Sequence, residues 1–143
     1  NKFEKLSNEE DFKIKHFGSI NKLPIPIINI INEVQNKTNR NKGMQINLAF
    51  NYSGRKEIIN AIKSLMINKK GINKFVSYLY SNGIPDPDLI IRTGGEKRIS
   101  DFLLWQSAYS EFYFTNILWP DFKLNNLKRS LQNYLKRKRN YGK

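Results

Sequence analysis

Hydrophobic residues along the chain follow two patterns, which predict strands and helices in alternation. The strand-like runs are continuously apolar or alternate with polar residues, and they cover residues 12–18, 44–52, 88–94 and 111–116. The helical stripes repeat apolar residues every three to four positions, and they cover residues 23–39, 53–71, 72–83, 102–109 and 119–140. Strands that alternate with helices favour an α/β fold with a largely parallel sheet flanked by helices.

Local signals set the expected ends of these helices. Pro24 and Pro26 fit a helix entry, whereas Gly71 and Gly83 fit helix ends. Asp121 has the side chain of an N-cap for the last helix. The 143 residues are expected to form one domain, 1–143, which is long enough to bury a hydrophobic core.

The balance of charge is the unusual part of the composition. Lys and Arg number 25 against 12 Asp and Glu, which gives a formal net charge of +13. This excess fits a basic nucleic-acid-binding protein or a protein that meets an anionic membrane surface. The run "KRKR" (136–139) belongs to a C-terminal stretch that is strongly basic. Such a run is more often a solvated helix end than a specific nucleic-acid contact.

Other classes are excluded by what the sequence lacks. The chain has no cysteine and one histidine, His16. Disulfides, thiolate catalysis and a metal site of several histidines are therefore excluded within this sequence. No apolar run reaches the roughly 18 residues of a membrane span, and no N-terminal stretch has the pattern of a signal peptide.

The stretch "DLIIRTGGEKRIS" (88–100) joins a buried strand to a group of small and charged residues. Parallel α/β sheets bind ligands beyond the carboxyl ends of their strands, and Arg92 is expected at such an end. Gly94 and Gly95 can adopt positive φ at little cost, so their N–H groups are able to converge on one anion.

Two further residues complete a candidate anion site. Arg98 supplies a second guanidinium, and Ser100 supplies a hydroxyl where a helix is expected to begin. Arginine presents a planar fork that matches phosphate oxygens. Together these groups predict a clamp for a diphosphate.

Ordinary structural roles fit the same residues. A Gly-Gly pair is commonly just a turn, and Ser100 suits a plain N-cap. The two arginines have carboxylates nearby for ion pairs, namely Asp88, Glu96 and Asp101. The pattern alone therefore leaves an anion site and an ordinary turn both open.

Two other places carry candidate functional residues. In "NYSGRKEI" (51–58), Ser53 can cap a helix, Gly54 permits a tight turn, and Arg55 is a cation in the first turn, where the helix dipole disfavours it. An acidic ligand or a neighbouring carboxylate would explain Arg55. Glu111 begins an aromatic strand, where a carboxylate needs a partner, water or a metal ion. One Glu is not a complete magnesium site.

These residues together resemble the signature of the cis-prenyltransferases, the undecaprenyl and dehydrodolichyl diphosphate synthases. The likeness is carried by "DLIIRTGGEKRISDFLLWQSAYSEFYFTNILWPDF" (88–122), "INLAFNYSGRKEI" (46–58) and "FKIKHFGSINKLP" (12–24), in the family's order. The resemblance implies the C-terminal part of an enzyme that adds isopentenyl diphosphate to an allylic diphosphate with Mg²⁺ as cofactor. It also implies a homodimer or heterodimer, in the cytoplasm or peripheral on a membrane, the endoplasmic reticulum if the cell is eukaryotic.

The resemblance also assigns roles by position. Isopentenyl diphosphate would be bound by Arg92, Arg98, Ile99 and Ser100, and Glu111 would be a metal-site carboxylate. Supporting roles would fall to Asp88, Gly94, Gly95, Glu96, Gly54 and Arg55. In particular, Asp88 and Glu96 would organise the two arginines.

Three departures from the family pattern matter. The N-terminal segment with an Asp-Gly-Asn motif and the catalytic aspartate does not occur in this sequence, so the chain is not expected to be active alone. Lys97 stands where the family often has histidine. Asn140 takes the place of the arginine in a terminal Arg-x-Gly, for which Arg139 is a possible substitute.

Two alternatives therefore remain. One is a non-catalytic subunit of a heteromeric cis-prenyltransferase, which would share the fold and lose much of the signature. The other is a basic nucleic-acid-binding protein, but no RNA-recognition signature occurs, and the preferred interpretation has no nucleic-acid partner.

Overall fold

The computed structural model describes residues 11–139 of the chain. These residues divide into two compact units, one ending at Glu57 and the other beginning at Ile58.

The first unit is a strand–helix–strand arrangement. Strand β1 (Lys13–Phe17) and strand β2 (Gln45–Ala49) are paired in parallel, and helix α1 (Ile25–Thr38) connects them. Pro26 lies in the first turn of α1, as expected, because its fixed φ suits a position whose N–H has no partner within the helix. The fully buried Thr38 ties α1 to β1, since its hydroxyl accepts the Ile14 N–H at 3.1 Å.

Gly18 ends β1 for a steric reason. Its φ is +139°, and a Cβ at this position would clash with the carbonyl oxygen of Phe50. Any other residue would push the two chain segments apart at the end of the β1–β2 pair.

Helix α2 (Gly54–Ile67) begins as predicted but ends earlier than predicted. Ser53 caps it, with its hydroxyl accepting the Lys56 N–H at 3.2 Å. Gly71 does not end the helix, contrary to expectation. Instead Lys69 adopts a left-handed φ of 50°, and the Lys70 N–H donates to the Leu65 carbonyl at 3.1 Å. A lysine thus takes the C-terminal position that usually goes to glycine.

The hydrophobic core of the second unit consists of Ala61, Leu65, Phe75 and Leu79. The short helix predicted over 72–83 forms only over Ile72–Tyr78, and it is a 3-10 helix. The helix ends before Leu79, which has an extended backbone. The Leu79 side chain is buried in the core.

The second unit also contains a parallel pair of strands, β3 (Leu89–Arg92) and β4 (Glu111–Phe114). Leu89 is paired with Glu111, and Arg92 is paired with Phe114. Both strand pairs in the described residues are therefore parallel and accompanied by helices, which confirms the α/β prediction. They form two separate two-stranded sheets within residues 11–139.

The segment between β3 and β4 is not helical, so the helix predicted over 102–109 is wrong. Ser100, Asp101 and Leu103 have positive φ values of 47°, 65° and 47°. A right-handed helix cannot pass through left-handed residues, and the chain forms successive turns instead. Ser100 therefore does not lie at a helix N-terminus.

Helix α3 (Leu124–Leu135) closes the described chain. Asp121 is not its N-cap, contrary to prediction, because Asp121 lies in a 3-10 turn over Trp119–Asp121. The helix is capped by Asn126, whose Oδ1 accepts the Lys123 N–H at 2.8 Å. Across residues 11–139, no helix has the length and apolar character needed to cross a membrane.

Candidate functional site

Arg92 is the last residue of β3, at the carboxyl end of the β3–β4 pair. The apolar residues Leu89, Ile90 and Ile91 form the rest of the strand and are partly buried. The strand therefore delivers a half-buried guanidinium to the edge where parallel sheets bind ligands.

The Arg92 side chain folds back over the loop that follows it. Its Nη1 donates to the Arg98 carbonyl at 2.5 Å and to the Ser100 hydroxyl at 3.2 Å. A guanidinium has five N–H donors, and both of these contacts start from one nitrogen. Arg92 thus shapes the loop from 93 to 100 and retains the chemical capacity to bind an anion.

The two glycines of this loop turn as predicted, but their N–H groups do not converge on one point. Gly94 and Gly95 have φ values of +86° and +82°. The Gly94 N–H donates to the Ile117 carbonyl and the Gly95 N–H to the Thr115 carbonyl, both at 2.9 Å. These glycines therefore join the loop after β3 to the chain after β4 and do not form an anion cradle.

Arg98 extends from the exposed side of the loop. Its Nη1 pairs with Glu96 Oε2 at 2.5 Å, and the side chains are 63% and 50% exposed. Glu96 is therefore the local counter-ion of Arg98. Exposed pairs of this kind contribute little to stability.

A cavity of about 220 Å³ lies between these residues and the aromatic side of β4. Arg92, Arg98 and Ile99 line it, together with Phe112 and Phe114 among others. Three of the four predicted substrate-binding residues therefore border one cavity. The fourth, Ser100, has its hydroxyl on Arg92 Nη1.

The loop carries a local excess of positive charge. Between Arg92 and Ser100 there are three cations and one carboxylate, Glu96. Over residues 88–101 the formal charge is zero, because Asp88 and Asp101 are then counted as well, but Asp88 pairs with Arg139. The described residues that line the cavity include the two cations Arg92 and Arg98 and no carboxylate.

The first unit holds a larger cavity of about 430 Å³, between α1 and the β1–β2 pair. It is lined mostly by aliphatic side chains such as Ile27, Ile31, Val34 and Leu48. Such a lining has little to offer a diphosphate. Charge and hydrogen-bond donors favour the smaller cavity as the anion site.

The other end of the β3–β4 pair is also charged, but its charges are paired. Asp88 pairs with Arg139 at 2.6 Å, in place of the expected contact with Arg92 or Arg98. Glu111 pairs with Arg137 at 2.5 Å. Because Glu111 lies opposite Leu89 in the register, it is three residues, roughly 10 Å, from the strand end that carries Arg92.

The surroundings of Glu111 do not fit a magnesium ion. One of its carboxylate oxygens already accepts from a guanidinium, and a metal site needs further oxygen ligands. In the part of the chain that the structure describes, no three His, Cys, Asp or Glu residues come together in a way that would hold a metal. Glu111 also lies at the opposite end of the strand pair from Arg92, and its role as a metal-site carboxylate stays a prediction.

The junction before α2 belongs to the first unit. Gly54 is the buried first residue of α2, and Arg55 is exposed beside it. Glu57, for which no role was predicted, is 2% exposed and accepts a hydrogen bond from the Tyr52 hydroxyl at 2.6 Å. The supporting roles of Gly54 and Arg55 stay predictions.

The roles of Arg137 and Arg139 were not predicted from the sequence. Both lie in the run that was interpreted as a solvated helix end, and both make ion pairs with residues at the amino ends of strands. Their partners are 26 and 51 positions away in sequence, so no local pattern pointed to them. Asn140, which stands in the family's arginine position, lies outside the described residues.

Comparison with known proteins identifies the family. A family model described as "Putative undecaprenyl diphosphate synthase" matches residues 1–142. The chain therefore belongs to this family, the cis-prenyltransferases, as the motifs indicated.

Individual relatives agree. The chain is 46% identical to an isoprenyl transferase of Clostridium acetobutylicum, with 94% of this chain and 57% of the relative covered. It is also 46% identical to a tritrans,polycis-undecaprenyl-diphosphate synthase (geranylgeranyl-diphosphate specific) of Picrophilus torridus, over 96% of this chain and 59% of the relative. The chain thus spans a little under three fifths of the length of these relatives.

Solved structures show the same fold. A probable undecaprenyl diphosphate synthase from Campylobacter jejuni superposes with a TM-score of 0.90 at 30% identity, over 99% of this chain and 68% of that one. Lavandulyl diphosphate synthase from Lavandula x intermedia, solved with dimethylallyl diphosphate, gives a TM-score of 0.90 at 32% identity, over 98% and 64% of the two chains.

Proposed function

We propose that this chain takes part in cis-prenyl chain elongation and supplies the binding site for the diphosphate of isopentenyl diphosphate. In this reaction the terminal alkene carbon of isopentenyl diphosphate bonds to the first carbon of an allylic diphosphate. The allylic carbon–oxygen bond breaks, diphosphate leaves, and the condensed product loses one proton to restore an alkene. Repeated additions give a long-chain polyprenyl diphosphate.

The proposal gives each residue of the cavity a task. Arg92 and Arg98 bind the diphosphate oxygens, and the Ser100 hydroxyl and the Ile99 backbone complete the contact. Arginine suits this task because its donors match two phosphate oxygens at once. Phe112 and Phe114 give the cavity an apolar wall for the short hydrocarbon part of the molecule.

One observation carries the proposal above the others: Arg92 and Arg98 line a single cavity at the carboxyl end of β3. If carboxylates surrounded these arginines, ion pairing alone would explain their charge, and no ligand would be needed. Here the pair of Arg98 is exposed, and the contacts of Arg92 are to a carbonyl and a hydroxyl. Neither contact neutralises Arg92, so an anion at this edge is favoured.

Magnesium, a dimeric assembly and the allylic diphosphate belong to the same proposal, because they follow from family membership alone. No step assigned to the residues described here depends on a metal ion. Gly54 and Arg55 are proposed as supporting residues, and a peripheral membrane location is proposed because the product is apolar.

The test is a binding titration with the full chain. Arg92→Gln and Arg98→Gln should each weaken the binding of isopentenyl diphosphate by about 10- to 150-fold, since losing a charge-assisted hydrogen bond costs roughly 1.5–3 kcal/mol. Calorimetry with isopentenyl diphosphate and with inorganic pyrophosphate would show whether the loss concerns the head group. Arg129→Gln, which removes an exposed arginine on α3, is the matched control.

Equal affinities for the two variants and the control would refute the clamp. If pyrophosphate binding falls in the two variants but isopentenyl diphosphate binding does not, the cavity holds a diphosphate other than the proposed one.

The second candidate is a non-catalytic subunit of a heteromeric cis-prenyltransferase. The surroundings of Glu111 favour it, because the carboxylate pairs with Arg137 and not with a ligand group beside the arginines. The two candidates differ in turnover. A catalytic subunit consumes radiolabelled isopentenyl diphosphate in the complete enzyme only while its own Arg92 is intact, whereas a non-catalytic subunit tolerates Arg92→Gln.

A further inference from the structure

We propose that Arg137 and Arg139 form a clasp that ties the chain after α3 to the amino ends of β3 and β4. The clasp consists of these two arginines with Glu111 and Asp88, and it is called the tail clasp below. The proposal concerns residues that the diphosphate site does not use, and it does not rest on the proposed function.

Arg137 makes the first half of the clasp. Its Nη1 contacts Glu111 Oε2 at 2.5 Å, and its Nη2 donates to the Phe112 carbonyl at 2.9 Å. One guanidinium thus holds a side chain and the main chain of the same strand. The ion-paired side chains of Arg137 and Glu111 are 32% and 28% exposed, so the contact is partly shielded from water. Such a fork fixes position as well as charge.

Arg139 makes the second half. Its Nη1 donates to Asp88 Oδ1 at 2.6 Å and to the Tyr134 hydroxyl at 2.7 Å, and its Nη2 donates to the Tyr109 carbonyl at 3.3 Å. The guanidinium carbon also lies 5.6 Å from the centre of the Tyr134 ring. Arg139 therefore joins the end of α3 to the residues that precede both strands.

The order of residue types in "KRKR" agrees with this division of roles. Arg137 and Arg139 are partly buried, whereas Lys136 and Lys138 are exposed. Arginine occupies the two positions that need several directed hydrogen bonds, and lysine occupies the two positions that face water. The run is therefore half structural, and half of its charge is not available to an external anion.

The clasp changes the interpretation of Glu111. The Glu111 carboxylate accepts a hydrogen bond from Arg137 and so holds the segment after α3 in place. The same oxygen cannot then be a metal ligand. Because Arg137 contacts strand β4 and Arg139 contacts the segments before both strands, residues 136–139 are held at the amino end of the strand pair. Arg137 and Arg139 are therefore positioning residues for the segment that follows α3, residues 136–139.

The absence of cysteine from the sequence allows a direct test. A nitroxide spin label on Lys138→Cys in the full chain reports how freely the tail moves. Asp88→Asn and Glu111→Gln should each convert the immobilised spectrum into a mobile one, while Glu33→Gln, which breaks a surface pair with Lys37 on α1, should leave it unchanged. Asp88 is 67% exposed, so its variant should keep the unfolding midpoint of the parent chain.

The clasp is wrong if the label is as immobile in both variants as in the Glu33→Gln control. It is also wrong if millimolar Mg²⁺ releases the label in the parent chain, since that result would assign Glu111 to the metal. Pyrophosphate affinity in the same variants should equal that of the parent. An unchanged label in Arg92→Gln, with pyrophosphate binding lost, would separate the diphosphate site from the clasp.

Discussion

The two ends of the β3–β4 pair use the same kinds of residue for opposite purposes. At the carboxyl end, Arg92 and Arg98 border a cavity, and the nearest carboxylate partner is the exposed Glu96. At the amino end, Glu111 and Asp88 receive arginines from a distant part of the chain. An arginine and a carboxylate close together therefore do not show whether the arginine is structural or binds a ligand. That distinction also requires the exposure of the pair. This difference fits the proposed function, in which the carboxyl end exchanges its anion and the amino end keeps it.

The largest expected effect on stability comes from opening the amino end. Arg137→Met should lower the free energy of unfolding by about 1.5–3 kcal/mol, because it removes charge-assisted hydrogen bonds that are partly shielded from water. Urea denaturation would measure the loss. Arg129→Met, at an exposed position on α3, should change the same quantity by less than about 0.5 kcal/mol. Equal effects of the two substitutions would mean that the amino end is not held by its ion pairs.

A smaller effect is expected from the glycines at the carboxyl end. Gly95→Ala should cost about 1–2 kcal/mol, because φ is +82° and the new Cβ would lie 3.3 Å from Asn116 Oδ1. Gly83→Ala is the matched control, since its φ is +75° and nothing lies within 4 Å of the new Cβ. Denaturation of both variants separates backbone strain from the loop contact. If Gly83→Ala lowers the free energy of unfolding more than Gly95→Ala does, the contact with Asn116 does not contribute to the cost.

The smallest effect should come from Glu96→Gln, and it should be a gain in binding. Removing the exposed partner of Arg98 leaves stability nearly unchanged, since such pairs contribute roughly 0.2–1 kcal/mol. Pyrophosphate should then bind up to about five-fold more tightly, because binding no longer requires the Arg98–Glu96 ion pair to break. Calorimetry checks this result. Weaker binding in Glu96→Gln would show that Glu96 organises Arg98 for the ligand, as the family resemblance implied.

The elements with strong periodicity were predicted from sequence, and those that depend on distant contacts were not. Strands β1 to β4 and helices α1, α2 and α3 all lie within the predicted segments. The segment at 102–109 has a helical pattern of apolar residues, but the left-handed residues at Ser100, Asp101 and Leu103 prevent a helix. Sequence propensity does not anticipate such strain in residues other than glycine.

The candidate site was also predicted only in part, because some of its contacts join residues that are far apart in sequence. Arg92 could be placed because a continuous apolar run ends at it, and strand ends are where ligands bind. The partners of Glu111 and Asp88 could not be placed, because Arg137 and Arg139 follow them by 26 and 51 residues. The N–H groups of Gly94 and Gly95 could not be assigned either, since their acceptors are main-chain carbonyls after β4.

Those carbonyls, at Thr115 and Ile117, have a practical consequence for mutagenesis. They hold the loop through main-chain atoms, and the Thr115 hydroxyl supports this connection by accepting the Ile117 N–H at 3.3 Å. Adding or deleting one residue between Phe114 and Leu118 would shift both acceptors and should disturb the glycine turn. Spacing, more than the identity of most of its side chains, is what this short connection must preserve.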